Sequence, residues 1–401
     1  MKILVLNCGS SSLKYKFFDM LTNAELARGQ ADRIGLPDAA FRHEYKHNKT
    51  FIDNKPVKNH HEAVHALLNF LLNKENDIIT EIETINGVGH RVVHGGDSFH
   101  ASVVVNQSAR ELLENTKILA PLHNPPNLMG IDICTSLMPS VPQVAVFDTA
   151  FHHSMPAYAY TYAIPYKYYE QDHVRKYGFH GISHQYAALR AAEILEEKLE
   201  NLRIITCHLG AGSSLCAVCG GKSRDTSMGF TPLSGIVMST RCGDIDPSIV
   251  SFIAEKEKIS VSEVMNILNR QSGVLGISGV SPDFRDLEKE TRMGNERAHL
   301  ALMIYAYSAA RGIASLVPAI SGLDALVFTA GIGEHSSAMR ERICEFLSWM
   351  DIVLDKKMNA TLDIEGLISS NESKVKIIVI PTNEEIMIAR ETCALLKNNA
   401  H

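Results

Sequence analysis

Residues 6 to 18, LNCGSSSLKYKFF, place an asparagine, a glycine and three serines between two apolar strands, with Lys14 inside the second. Glycine and serine are what any hairpin turn uses. The same turn can also offer backbone N–H groups, hydroxyls and one ammonium to an anion, and on these residues alone both readings stand. Two further Gly/Ser turns follow strands, at 208–214 and 330–336. Facing turns of this kind can hold a polyphosphate, and in the third Gly331 and Gly333 would let a ligand approach the backbone ahead of a helix. CGGKS at 219–223 resembles the end of a P-loop, but Cys216 stands where the first glycine is required, so a hairpin is predicted instead. No strand runs into G-x-G-x-x-G, which removes support for a dinucleotide fold.

Arginines and histidines form the second set. Arg91 lies in GHRVVHGG and Arg241 in STRCGDIDPS. Either one could pair with a structural carboxylate; together they would suit a site where two negative groups must meet. Like unit charges about 4 Å apart repel by roughly 4 kcal/mol at an effective dielectric of 20, so cations are needed there. His180 and His184 in GFHGISH have i,i+4 spacing, but the segment lacks the Glu of H-E-x-x-H and Gly181 follows the first histidine, so zinc is not expected. His123 sits in the proline-stiffened APLHNPPN and His208 opens the second Gly/Ser turn; each could equally be a core histidine. Among carboxylates, Asp148 ends the strand QVAVFD, while Glu384 and Glu385 follow KIIVIPTN. Parallel sheets place ligands at strand ends, where such acids could hold Mg²⁺ directly or through water. For Glu384 and Glu385 the alternative is a role as helix N-terminal acids facing the dipole.

The elements that must position these residues follow an α/β pattern: short apolar runs ending in Gly, Asp or Asn alternate with segments of helical period. Strands are expected at 2–6, 13–19, 84–93, 101–105, 143–147, 203–208, 214–219, 325–329 and 375–380. Capping boxes are expected at Ser108-x-x-Glu111 and Ser260-x-x-Glu263, a third helix near Ser183, and a fourth, RAHLALMIYAYSAARGIASLV, buried nearly all round. The 401 residues predict about two to three domains. An internal echo sharpens that to two similar halves, because Ser11-Ser12-Leu13 recurs as Ser213-Ser214-Leu215 after a strand in each case. With net charge −6 the chain is not a nucleic-acid binder. No apolar run reaches the roughly 18 residues of a membrane span, and the eight scattered cysteines suit a reducing, cytoplasmic protein. The lone C-x-x-C of Cys216 and Cys219 has no second pair and is read as reduced.

Taken in order, LNCGSSSLK, GHRVVHGG, PLHNPPN, FDTAFH, YGFHGISH, HLGAGSS, TRCGDIDPS, SPDFRDL, TAGIGEHS and PTNEEIMIA make the chain resemble, end to end, the acetate kinase (acetokinase) family, in the superfamily of acetate and sugar kinases, heat-shock chaperone ATPases and actin. The resemblance implies two ribonuclease-H-like domains, 1–149 with a returning helix at 384–401 and 150–383, and a homodimer. It implies Mg²⁺ (or Mn²⁺) at Asn7 and Glu384, with Ser10, Ser12 and Lys14 near the phosphates of ATP or ADP. Arg91 and Arg241 would clamp the substrate carboxylate and the transferring phosphoryl group, His180 would donate to that group with His123 assisting, and Asp148, labelled catalytic in the family, would organise Mg²⁺ waters or Arg241. His208, Leu209, Gly210, Ala211 and Gly212 would hold phosphates. Asp283, Phe284 and Arg285, with Gly331, Ile332, Gly333, Glu334 and His335, would hold the adenosine. Val93, Leu122, Phe179 and Pro232 would line an apolar pocket for a methyl group.

The implied reaction is in-line transfer from ATP to acetate, giving acetyl phosphate and ADP. A carboxylate nucleophile is already ionised at neutral pH and needs no general base. Within the family the alternative is a propionate or butyrate kinase, since a methylene discriminates by only about 1–3 kcal/mol; Val93 favours acetate. From another class, an actin-like nucleotide switch would not need two arginines and His180 at such a pocket. Two positions depart from the family pattern, Ala211 and His335, both usually Asn; the first removes an amide donor and predicts weaker nucleotide binding.

Overall fold

Ile3–Leu6, Val144–Phe147 and Ala325–Phe328 are apolar at successive positions, the pattern of strands covered on both faces, and every one of these residues is buried. The computed structural model describes residues 1–46, 49–53, 56–121 and 123–398. Around such strands the chain forms two units, one of Met1–Phe151 with Asn383–His401 and one of His152–Thr382.

The first unit holds an eight-stranded sheet. Its strands are β1 (Lys2–Cys8), β2 (Ser12–Asp19), β3 (Ala24–Asp32), β4 (Ala40–Tyr45), β5 (Lys49–Asp53), β6 (Gly87–Val92), β7 (Val103–Val104) and β8 (Gln143–Phe147), in the order β5-β4-β3-β2-β1-β6-β8-β7. β1 to β5 are antiparallel neighbours, whereas β1, β6 and β8 run parallel. The C-terminal helix Glu384–Asn398 packs on β6 and β1. Glycine lets it come close: a Cβ at Gly89 would lie 2.5 Å from Thr392 Oγ1, and one at Gly87 2.4 Å from Leu396 Cδ1. A separate core of Leu4, Leu6, Tyr15 and Phe17 takes in Leu67 and Leu71 of the helix His60–Leu72 and Cys134 of the helix Asn124–Leu137.

The second unit holds six strands, β9 (Arg203–Leu209), β10 (Ser213–Cys219), β11 (Lys222–Thr226), β12 (Ala325–Thr329), β13 (Gly366–Leu367) and β14 (Lys376–Val379), in the order β11-β10-β9-β12-β14-β13. β9, β10 and β11 are antiparallel, and β9, β12 and β14 parallel. Each unit therefore repeats three antiparallel strands followed by two parallel ones, and the Ser-Ser-Leu echo falls at the first hairpin of each. CGGKS is indeed a hairpin, with Gly220 at φ 59 and Gly221 at φ 75 joining β10 to β11.

Several elements differ from expectation. β3, β4, β5, β11 and β13 were not expected; β3 mixes polar and apolar residues evenly and β5 is mostly polar, because these strands bury few side chains. Residues 82–84 form a single 3-10 turn ahead of β6. The helix Gln107–Asn115 is capped by Asn106, whose side chain accepts from Ala109 N, and not by Ser108; Glu111 instead accepts from Gln107 Nε2 at 2.8 Å. The box at Ser260 forms in full. The helix Gly181–Leu195 starts two residues earlier than expected, after His180 at φ 56. The segment 330–336 is a short helix, Ala330–His335, and not an open turn.

The apolar helix Glu296–Leu316 is not buried all round: Ala301, Leu302, Tyr305 and Ile313 enter the core, while Leu300 and Tyr307 are exposed. By length and composition 296–320 is one segment that could cross a membrane, contrary to the sequence reading, which found no apolar run long enough. The two-layer packing of its inner face on β10 and its neighbours accounts for that composition.

His43 illustrates the core's electrostatics. Its ring stacks between Phe41 at 4.2 Å and Phe70 at 4.0 Å, and its Nδ1 lies 2.9 Å from Tyr15 Oη. Burial pushes its pKa down to about 4, against a smaller upward pull from Asp53. A depressed pKa means that the unfolded chain takes up the proton first, so this contribution is complete above the ordinary histidine pKa and is lost as pH falls toward 4. Between pH 7 and 5 it amounts to about 2 kcal/mol. The fall in urea midpoint over that range should be smaller in His43→Phe than in the parent; an equal fall would remove His43 from the account.

Candidate active site

In the first unit the strand ends gather charge. Arg91, next to last in β6, donates from Nε to Asp148 Oδ1 at 2.9 Å and from Nη2 to Asp148 Oδ2 at 2.7 Å. Its Nη1 lies 3.0 Å from Glu384 Oε2 at the start of the C-terminal helix. Burial works against the Arg91 charge, but Asp148 and Glu384 outweigh it and raise its pKa. Glu384 is pushed up to about 7, first by burial, against the pull of Arg91, with Asp148 and Glu385 adding to the rise. Asp148 thus takes Arg91 as its partner, where the sequence reading offered Mg²⁺ waters or Arg241.

Asn7 is the antiparallel partner of Lys14 across β1 and β2, and the Lys14 charge acts on Glu384. The Gly9 N–H donates to the Ser12 carbonyl at 2.9 Å and closes the first turn, leaving Ser10 exposed. The Gly9 carbonyl meets His60 Nε2 at 2.8 Å, and Asn127 Nδ2 donates to the Cys8 carbonyl at 2.8 Å, so the turn is held from behind. Val93 is half-buried, with its N–H donating to Asn127 Oδ1. His123 stands exposed just before the helix Asn124–Leu137. Leu122 lies outside the described residues.

The second unit contains a cavity of about 910 Å³. Gly210, Ala211 and Gly212 line it from the β9–β10 turn, Arg241 from the loop after β11, and Asp283, Phe284 and Arg285 from a helix start. Gly331, Ile332 and His335 line it from the helix after β12. A Cβ at Gly331 would meet nothing within 4 Å, so that position is open to a ligand. Gly333 instead faces Phe328 of β12, and Glu334 Oε1 accepts from Thr382 N at 2.8 Å, so neither lines the cavity. Leu209 is wholly buried in the core and can offer only its backbone. Asp283 caps the helix Phe284–Arg292 and takes Arg285 in a two-point pair.

His180 and Arg241 meet over Gly212, where a Cβ would lie 3.3 Å from Arg241 Nη1 and 3.5 Å from His180 Cε1. His180 stacks on His208 with centroids 4.1 Å apart. Arg241 Nη1 also donates to the Pro232 carbonyl at 3.2 Å, and burial lowers its pKa. Phe179 is buried, with its carbonyl 3.0 Å from His152 Nε2. From sequence no role was given to Ser239, Thr240, Pro282, Glu288, Arg292 or 337–338, which also line the cavity; Ser239 and Thr240 lie within STRCGDIDPS and Pro282 within SPDFRDL, so those motifs could have pointed to them.

Two units with a repeated strand order, one with an arginine–carboxylate cluster and one with a glycine-lined cavity, have the two-domain actin-like ATPase fold. The acetokinase family profile matches residues 2–390, and the chain belongs to the acetokinase family. It is 52% identical over 398 residues, 99% of each chain, to the acetate kinase of Caldanaerobacter subterraneus subsp. tengcongensis. Among solved structures, acetate kinase from Porphyromonas gingivalis superposes with TM-score 0.92 at 43% identity, covering 98% of this chain and 99% of that one. A propionate kinase from Francisella tularensis gives 0.91 at 41% identity, with the same coverage.

Replacing Asp148 with Asn keeps the volume but leaves Arg91 with one carboxylate. Because breaking a buried pair strands its partner, the unfolding free energy should drop by about 2–3 kcal/mol. An unchanged denaturation midpoint would show that Asp148 does not anchor Arg91.

Proposed function

We propose that the protein is an acetate kinase, transferring the γ-phosphoryl group of ATP to acetate in a reversible in-line reaction. The observation that carries this reading is the convergence of Arg241 and His180 over Gly212 at the glycine-lined cavity. Catalysis by preorganised cations suits a phosphoryl group whose oxygens carry the charge. Arg241 balances that charge, and Arg91 draws the acetate carboxylate. The residues Gly210–Gly212 cradle phosphates through their backbone, Ser10, Ser12 and Lys14 serve them from the first hairpin, and Asp283–Arg285 with Gly331, Ile332 and His335 hold the adenosine. Val93, Phe179 and Pro232 meet the methyl group. No residue has to act as a general base, since acetate is ionised at neutral pH.

Asn7 and Glu384 would hold Mg²⁺ through hard oxygen atoms, and the ion would neutralise phosphate charge. One observation fits: Glu384 carries a carboxylate whose ionisation is opposed by burial and by two acidic neighbours, which a divalent cation offsets. The eight free cysteines accord with a cytoplasmic protein.

A hydroxamate assay with ATP and acetate, propionate or butyrate tests the reaction: acetate should give the highest kcat/KM. Higher kcat/KM with propionate would make this a propionate kinase, and slow ATP hydrolysis without acyl phosphate would make it a nucleotide switch.

The family resemblance implies a homodimer, so light scattering should give twice the mass of 44.2 kDa; a monomeric protein would refute it.

A further inference from the structure

Behind the His180 ring runs a chain of side-chain hydrogen bonds between the helix Gly181–Leu195 and strands β9 and β10. His180 Nδ1 lies 2.8 Å from Ser214 Oγ, and Ser214 Oγ lies 2.7 Å from His184 Nε2. His184 Nδ1 lies 2.7 Å from Thr206 Oγ1, which reaches the Cys216 carbonyl at 3.4 Å. Ser214, His184 and Thr206 are wholly buried.

A hydroxyl has one proton to give, and a neutral imidazole has one N–H and one bare nitrogen. Three arrangements of protons along the chain are consistent; in one, Ser214 accepts from both rings and its own buried O–H finds no acceptor in the chain, and between the other two the far end chooses. A carbonyl can only accept, so Thr206 donates to Cys216 and accepts from His184 Nδ1–H. His184 is neutral: burial, then the neighbouring His152 and His208, hold its pKa well below the ordinary value. Its Nε2 is therefore bare and accepts from Ser214, whose oxygen in turn accepts from His180 Nδ1–H. The reverse arrangement would set the Thr206 lone pairs against those of the Cys216 carbonyl and lose a buried bond.

We propose that Ser214 is a positioning residue that fixes His180 as the Nδ1–H tautomer, so that His180 can donate to a phosphoryl oxygen only as an imidazolium. The second half of this statement rests on the kinase reading; the first does not. Nε2 is the nitrogen on the site side, since a Cβ at Gly212 would lie 3.6 Å from it. A neutral His180 would turn a lone pair toward the phosphoryl oxygens and repel them. Among the charged and titratable groups of the second unit that face the ring are Arg241 across Gly212, His208 stacked at 4.1 Å and His184 behind Ser214. The Arg241 cation disfavours the imidazolium while the site is empty, and the phosphate charge favours it, so the proton enters from solvent as the anion binds. Turnover then declines as pH rises past the His180 pKa of the complex.

The test begins with the unliganded wild-type protein, ring-¹⁵N-labelled at histidine. Nitrogen–proton correlation spectra should show neutral His180 with its proton on Nδ1 and Nε2 bare. A proton on Nε2 overturns the proposal whatever the enzyme's substrate. Ser214→Ala should release the tautomer and lower kcat by about 100-fold, the loss expected when a reacting group is misplaced by about 1 Å. The nucleotide KM should change little, and the alkaline limb of the pH profile should move. Ser214→Thr, which keeps the hydroxyl, should restore both the tautomer and most of kcat. Wild-type kcat and pH profile in Ser214→Ala would also overturn it. A wild-type protein that forms no acyl phosphate would instead refute the kinase reading, with the tautomer still readable.

Discussion

A guanidinium at a sheet end, with most of its surface out of water, organises the first unit. Removing a cation from water costs several kcal/mol unless charge and hydrogen bonds replace the solvent, and Arg91 meets that demand with Asp148 and Glu384. The two acids come from places far apart in sequence, one after β8 and one at the start of the C-terminal helix. Holding Arg91 therefore requires that helix to lie on β6 and β1, which in turn excludes side chains at Gly87 and Gly89. Burial, with Asp148 and Glu385, leaves Glu384 with a raised pKa despite Arg91, so this cluster retains electrostatic tension of the kind that perturbed functional groups carry.

The second unit repeats the strand order but uses its first hairpin differently. In the first unit the turn after β1 ends in Ser10, Ser12 and Lys14, all at or near the surface. In the second, the residue matching Ser12 by the internal echo is Ser214, wholly buried behind His180. Ala211 then forms the exposed tip of the turn, with Gly210 and Gly212 half-buried on either side and Arg241 beside Gly212. One supersecondary frame thus presents hydroxyls and an ammonium in one copy, and backbone with an oriented imidazole in the other. Family membership over the whole chain fits a frame whose side-chain chemistry is spread between both halves.

Much of this was legible from residue types. Strands buried on both faces announce themselves as continuous apolar runs, and glycines after them mark where a chain must turn or be approached. Strands with one wet face were not legible: β3 reads AELARGQAD, and its pairing with β2 and β4 depends on neighbours that lie elsewhere in the chain. Asn106 displaced Ser108 as a cap because either side chain can accept from a backbone N–H, and the packing of the following helix decides which one is in reach.

The sequence by itself determined the inventory: two arginines, a set of histidines, acids at strand ends, glycine-rich turns and a twofold internal echo. Those are properties of side chains and short spacings. Only the tertiary structure decided the partnerships, because hydrogen bonds and ion pairs join residues tens of positions or more apart. That Arg91 belongs to Asp148 and Glu384, that Gly333 faces a strand while Gly331 faces open space, and that His180 Nδ1 lies 2.8 Å from Ser214 Oγ all follow from distances that no local pattern encodes.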